Sequence, residues 1–377
     1  MKKVLILTFS DVQSDPRVNR QIKALAGRYD LCVAGRSWTP SEDIEFIPIL
    51  PRHRSIIDQF HGAWLLKTRQ FERYYWGLPD VQDACRKLGG RSYDLIIAND
   101  VETLPLALRT ANGAKVLLDA HEYAPREFED NWRWSFFSQQ YTTSFLCKDH
   151  LSRAHAIMTV CEGIAREYSL RFAIPEPFIV LNTPYRQNLR PKPCGDNIRM
   201  IHHGKAITSR KLEVMIEMMD LLDKRFTLDF MFIDKNLGYL NDLKKRAATN
   251  PHIRFRPPVS LPEIPGTLND YDIGLFLLPP MTFNYIHALP NKFFEFVQAR
   301  VAIAVGPSPE MAKYVHTYNC GIVSKDFTSK QLAAELNRLT REDVDRFKGN
   351  SDKASEFLCF EASEKKLLGK VMELLSH

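Results

Sequence analysis

The stretch LPNKFFEFVQARVAIAV, residues 289–305, holds two signals at once. Its end, AIAV, is a short apolar run of the kind that forms a buried parallel strand. Its beginning sets one carboxylate, Glu295, among Phe293, Phe294, Phe296 and Val297. Burying that charge without a partner costs several kcal/mol. Glu295 therefore either follows a narrow polar stripe facing solvent or faces a cleft with something to bind.

Working outward, short β-rich apolar runs alternate with helical patterns along the whole chain, which predicts parallel sheets built from strand-helix-strand units. Strands are expected at KKVLILTF, DLCVAG, IEFIPI, DLIIAN, KVLLDA, AIMTV and FIVLN, then at IRMIHHG, LDFMFI, HIRFRP, DIGLFLL, AIAVG and GIVS. VNRQIKALAGR, KLEVMIEMMDLLDK and KQLAAELNRL carry apolar residues at helical spacing. The run NTPYRQNLRPKPCGDN, residues 182–197, has no apolar period and the composition of a linker. The expectation is an α/β protein of two doubly wound, Rossmann-like domains, residues 1–185 and 196–355, followed by a segment at 356–377. A cleft facing the carboxyl ends of both sheets would then be the place for a ligand.

Composition excludes several classes. With 45% hydrophobic and 25% charged residues the chain is globular, and its 377 residues exceed one ordinary core. A formal charge of +6 is modest at this length and gives no reason to expect a nucleic-acid partner. No apolar run reaches the roughly 18 residues of a membrane span. The opening MKKVLILTFSDVQSD reads as a first strand, not a signal peptide. The seven scattered cysteines form no metal-site spacing, and a reducing cytoplasm fits them best.

An ordered set of segments resembles a known family. IHHGKAITSRKLE, DIGLFLLPP, LPNKFFEFVQARVAIAV and PEMAKYV resemble the nucleotide-sugar-binding domain of GT-B glycosyltransferases, most closely the large retaining family 4 type. SDPRVNRQIKAL, YDLIIANDVETLPLAL and VLLDAHEYAPREF are similar to the acceptor-side domain of capsule and O-antigen sugar transferases, and FEASEKKLLGKVMELL to the helix that crosses back onto that domain. The resemblance implies a retaining transfer of a sugar from a nucleotide diphosphate donor to a glycan or polyprenyl-linked acceptor, with no cofactor and no metal. A sugar-nucleotide epimerase of the same fold, or a non-catalytic binding subunit, are the alternatives.

Residue by residue, the resemblance places the donor diphosphate on Gly204, Lys205 and Arg210, with Lys211 adjacent. Such an anion needs backbone amides and cations, which this loop offers. The same resemblance puts Glu295 on the two ribose hydroxyls, which one carboxylate can accept together. Asn291 and Lys292 lie one turn earlier, and His287 stands where the family commonly has a second glutamate. In the first half His121 matches a histidine beside the donor sugar and leaving phosphate, flanked by Asp119 and Glu122 at a strand end. Asp100, Asp15 and Arg17 belong to the same acceptor-side rim, although Asp15 reads equally well as the cap of the helix after Pro16.

Two further features stand apart. The pair Asp343 and Asp345 lies in a polar helical stretch and reads as a solvated face, and His202 and His203 lack the third ligand of a metal site. Residues 52–77, RHRSIIDQFHGAWLLKTRQFERYYWG, combine five arginines and lysines with Phe60, Trp64, Phe71, Tyr74, Tyr75 and Trp76. A second aromatic cluster, NWRWSFF, follows the His121 loop. That composition suits a helix lying against an anionic membrane, which adds a peripheral site at the inner face to the expected cytoplasmic location. Ordinary core packing is the alternative.

Overall fold

A computed structural model describes residues 1–40, 44–233 and 237–376. The chain divides into two compact units, Met1–Leu181 with Ser363–His377, and Asn182–Ala362. Each unit is built on its own sheet, and every strand pairing among the described residues is parallel.

In the first unit the strands are β1 (Lys3–Asp11), β2 (Asp30–Arg36), β3 (Glu45–Pro48), β4 (Leu95–Asn99), β5 (Lys115–Ala120), β6 (Ala156–Thr159) and β7 (Phe178–Ile179). They lie in the order β3-β2-β1-β4-β5-β6-β7. Val4 to Leu7 and Leu95 to Ala98 are fully buried, the uninterrupted apolar runs of strands covered on both faces. The order reverses between β1 and β4, so the loops leaving those two strands diverge and open a crevice at their carboxyl ends.

The second unit holds β8 (Ile198–Lys205), β9 (Phe226–Ile233), β10 (Ile253–Arg256), β11 (Ile273–Phe276), β12 (Ala302–Val305) and β13 (Gly321–Val323), in the order β10-β9-β8-β11-β12-β13. Here the reversal falls between β8 and β11. All thirteen expected runs are strands in these two sheets.

Helix lengths depart more from expectation. The pattern at residues 211–224 predicts one long helix, whereas the observed helix is Glu213–Met219. Lys211 adopts a left-handed φ of 51°, which a helix start cannot use, and beyond Asp220 the carboxylate of Asp223 accepts from the Arg225 amide and guanidinium to close a turn into β9. The Asp343 side chain completes a capping box with Thr340 at the start of the helix Arg341–Ser355, and Asp345 accepts from the Cys194 amide, so both aspartates are occupied structurally.

The helix Asn291–Gln298 answers the first question posed by the sequence. Phe293, Phe294, Phe296 and Val297 have no exposed surface, while Glu295 retains some. The helix lies so close to β11 that a Cβ on Gly274 would meet Phe296 Cγ at 2.3 Å. We predict that Gly274→Ala destabilises the protein by about 1–3 kcal/mol through overpacking. Urea unfolding should show a lower midpoint with an unchanged slope; an unchanged midpoint would contradict the packing described.

Candidate functional site

The first unit places its functional side chains where β1, β4 and β5 end. After β1 the chain turns at Val12–Ser14 and enters the helix Pro16–Leu25. Asp15 caps that helix, accepting from the amides of Arg17 and Val18 at 3.0 and 3.2 Å and from the Ser10 hydroxyl at 2.8 Å. Of the two readings of Asp15, the capping one is the observed one.

Arg17 was expected on an acceptor-facing rim, but it is 5% exposed and reaches inward. Its Nε and Nη2 donate to the two oxygens of Asp119 at 2.6 Å each, and its Nη1 donates to the Val180 carbonyl at 3.0 Å. Asp119 is fully buried and also accepts from Gln21 Nε2 at 2.6 Å. Burial alone would raise the Asp119 carboxyl, but Arg17 and His121 outweigh it and hold the group below the usual carboxylate range. Arg17 and Asp119 are thus committed to each other, which sequence position alone does not reveal.

His121 follows β5 and sits between two carboxylates. Its Nε2 lies 3.1 Å from Asn99 Oδ1 and 3.4 Å from Asp119 Oδ2, and its Nδ1 lies 3.5 Å from Asp100 Oδ1. Burial disfavours the imidazolium, yet Asp100 and Asp119 prevail and raise its pKa to about 9. At neutral pH His121 is a cation with two N–H donors.

Asp100 itself has φ 65° and ψ 151°, a region essentially restricted to glycine. Strain of about 1–3 kcal/mol is held there by the surrounding bonds. These include the Asp100 amide to the Asp119 carbonyl, and the Thr103 amide and hydroxyl to the Asp100 carbonyl.

A cavity of about 280 Å³ opens beside these residues, lined by Asp100, Glu102, His121, Glu122, Glu127 and Phe128 among others. Glu127 was not anticipated. Burial, then repulsion from Glu122, Asp100 and Glu102, raises its pKa to about 8. Nothing in EYAPREFED marks the second acidic position, Glu127, as different from its neighbours; the fold does so by turning it toward the other carboxylates.

In the second unit β8 ends at His203, Gly204 and Lys205. Gly204 has φ 118°, and a Cβ there would lie 3.1 Å from Lys292 Nζ and 3.9 Å from Arg210 Nη1. Two cationic side chains therefore converge on one bare backbone position. Lys292 is buried, with Nζ 3.4 Å from His202 Nε2 and 4.4 Å from the centre of the Phe276 ring. Its pKa falls well below the ordinary lysine value because of burial and Arg210, only partly offset by Glu295. His202 Nδ1 donates to the Leu275 carbonyl at 2.8 Å, which leaves Nε2 as an acceptor toward Lys292.

Asn291 begins the helix Asn291–Gln298, whose N-cap, Pro290, supplies no side-chain acceptor. The Asn291 Oδ1 is buried without a hydrogen-bond partner, and such an atom costs about 1–3 kcal/mol until something binds it. Glu295 Oε2 stands 3.4 Å from His203 Nε2, but burial and Lys292 push His203 down to about 3, so this neutral imidazole forms no ion pair. His287 Nδ1 lies 3.1 Å from Oε1 of buried Glu310, at the start of the helix Pro309–Tyr318. Glu310 was missed by sequence reasoning. Its signal was the Ser-Pro-Glu of a helix start.

Lys205 is exposed, and its carbonyl accepts from Arg210 Nη1 at 3.2 Å. Lys211 is exposed on the left-handed residue that closes the turn Thr208–Arg210. Gly204, Arg210 and Lys292 are brought together, with Glu295 near enough to act on the Lys292 charge.

No protein-family model matches the sequence, and a search of curated proteins finds no relative. Solved structures do match across the chain. A glycosyltransferase from Rickettsia africae ESF-5 aligns with a TM-score of 0.68 at 13% identity, over 99% of this chain and 98% of that one. Sucrose-phosphate synthase from Thermosynechococcus elongatus aligns with a TM-score of 0.73 at 11% identity, over all of both chains. HepE from Anabaena, in complex with UDP-glucose, aligns with a TM-score of 0.68 at 12% identity, over 99% and 100%. The chain has the GT-B fold: two parallel-sheet domains of the Rossmann type.

The titrations in the first unit make a signed prediction. His121, raised from 6.5 to about 9, contributes stability that is complete below pH 6.5 and lost as pH rises through 9. Glu127, raised from 4.5 to about 8, adds a decline of the same sign between those values. Melting temperature should therefore fall with pH from 4.5 to 9 at these two sites. Glu127→Gln should flatten the lower part of the profile and His121→Asn the upper part. Profiles that superimpose on wild type would show that neither group titrates as described.

Proposed function

We propose that this chain is a glycosyltransferase that moves a sugar from a nucleotide diphosphate donor to a glycan acceptor, soluble or polyprenyl-linked. The observation that carries the reading is the convergence of Arg210 and Lys292 on Gly204, at the switch point of the second sheet. A diphosphate fits such a place: it supplies the negative charge that the two cations lack and can come close to a backbone without a side chain. Lys205, on the same strand end, adds a third cation.

Glu295 then accepts from the ribose hydroxyls, and the open Asn291 oxygen takes a donor from the nucleotide sugar. Departure of the nucleoside diphosphate is the step in which charge develops, and fixed cations aimed at it stabilise that transition state. His121 already carries a proton, so in the cavity of the first unit it serves as a hydrogen-bond donor and not as a base. The acceptor hydroxyl approaches from the face that the diphosphate leaves, which retains configuration, and the protein cations take the part that a divalent ion plays elsewhere.

A second reading has one observation in its favour. The carboxylate-lined cavity of the first unit, with Glu127 raised toward neutrality, resembles the acid-base equipment of a sugar-nucleotide epimerase. Incubation with donor alone separates the two: an epimerase converts it to a new nucleotide sugar, whereas a transferase requires an acceptor.

Calorimetric titration with UDP and UDP-sugars is the direct test. Glu295→Ala is expected to weaken binding by about 1.5–3 kcal/mol, the scale of charged hydrogen bonds, with an unchanged melting temperature. Equal affinities would remove Glu295 from the site. Turnover is expected to survive EDTA; loss of activity that manganese or magnesium restores would contradict a protein-only diphosphate site.

A further inference from the structure

The aromatic and basic stretch at residues 52–77 is not used by the donor or acceptor chemistry, and the structure divides it into two populations. Tyr75 is buried and donates to the Glu102 carbonyl, Trp76 lies under the Arg109 guanidinium at 4.3 Å, and Phe71 and Tyr74 pack on Tyr141. Arg52 is taken up by Asp80 and Glu102. These residues belong to the domain itself, so Trp76 and Arg52 are withdrawn from any membrane-facing set.

The other population points outward. The helix Ile56–Lys67 buries only Gly62, Leu65 and Leu66. Ile56, Ile57, Phe60 and Trp64 are 54–79% exposed, and all six residues from 56 to 61 are exposed. A second short helix, Trp132–Phe137, packs beside it and exposes Trp132 and Phe136, with Lys67 Nζ over the Phe136 ring at 4.7 Å. Single exposed apolar side chains are ordinary; this many on two neighbouring helices mark an interaction surface.

Arg54 precedes the first of these helices, Lys67 ends it, Arg69 and Arg73 follow it, and Arg133 lies in the second. Nearby acidic groups are partly spent: Asp58 in the helix capping box with Ser55, and Glu129 on Arg126. Glu72 and Asp130 remain exposed.

We propose that this pair of helices is a docking surface for an anionic lipid bilayer. Ile56, Ile57, Phe60 and Trp64 enter the acyl boundary while the surrounding arginines and lysine meet head-group phosphates. A helical turn that is exposed on all sides cannot be enclosed by one flat protein face, whereas a fluid bilayer surrounds it. Aromatic side chains at the edge and long basic side chains beside them suit the boundary between hydrocarbon and head groups. Among the described residues no helix is long and apolar enough to span a membrane, so this contact is peripheral. It stands independently of the glycosyltransferase reading.

Flotation of the full chain with vesicles tests it. Wild type should float with phosphatidylcholine vesicles containing about one-third phosphatidylglycerol and far less with phosphatidylcholine alone, since each basic residue near the surface changes partition roughly fivefold. Raised salt should release it. The double substitution Ile57→Asp and Phe60→Asp should lower partition at least about tenfold. The set Lys67→Gln, Arg69→Gln, Arg73→Gln and Arg133→Gln should remove the preference for phosphatidylglycerol. All six positions are on the surface, so melting temperature and UDP titration should be unaltered, which keeps this test separate from that of the donor site.

Wild type that stays with the soluble fraction at low salt overturns the proposal, as does flotation that neither set of substitutions reduces. A dimer in sedimentation velocity that the Asp substitutions dissociate, without flotation, would assign the face to a second copy instead.

Discussion

The pairing of Arg17 with Asp119 is the interaction on which the first half of the molecule is organised. A guanidinium and a carboxylate meet in a two-pronged arrangement with almost no water access. The pair fastens the helix Pro16–Leu25 to the end of β5, and through the Val180 carbonyl it reaches the segment after β7. Removing either partner would leave a buried charge uncompensated, at a cost of about 3–5 kcal/mol. Buried pairs of this kind contribute little net stability compared with an apolar substitute. What this one contributes is charge: Asp119 remains ionised, and His121 is therefore held as a cation at the edge of the cavity.

The second unit is arranged in the opposite sense. Its polar groups are not mutually satisfied: Asn291 Oδ1 has no partner, and burial together with the nearby Arg210 disfavours the charged form of Lys292. Folding has gathered groups that repel or stand open, and such an arrangement persists because the surrounding core is rigid. The fully buried phenylalanines of the helix Asn291–Gln298 and the absence of a side chain at Gly274 fix where Lys292 and Glu295 emerge. An anion placed there would relieve the conflict, as the proposed donor diphosphate would. Fixed dipoles and charges prepared in this way need little reorganisation when a ligand's charge grows.

Much of this was legible from sequence. Thirteen strands could be read because each parallel strand is a continuous apolar run bounded by turn residues, and burial on both faces leaves the pattern unbroken. The grouping of Gly204, Arg210 and Lys292 was accessible through motif order. What was hidden depends on direction. Arg17 and Asp15 lie two positions apart, yet one reaches into the core and the other caps its own helix. Glu127 looks like any exposed acid in a loop until three other carboxylates are found beside it. Ile57 and Leu66 are equally apolar, and only the packing of the helix decides that one is covered and the other is not. Periodicity gives a face; it does not say what stands opposite.

The replacement of the expected glutamate by His287 illustrates how the same chemistry can be reached from another position. A carboxylate at 287 would stand against the buried carboxylate of Glu310, and the two would repel. With histidine there, the negative charge sits one residue further out, on Glu310, 3.1 Å from His287 Nδ1. The imidazole then has Nδ1 held by Glu310, and the orientation of the ring is set by that hydrogen bond. Phe283, whose ring centre is 4.7 Å away, supports the ring from the side. The position thus holds an oriented imidazole backed by a buried acid, which gives a fixed polar group where two carboxylates could not stand together.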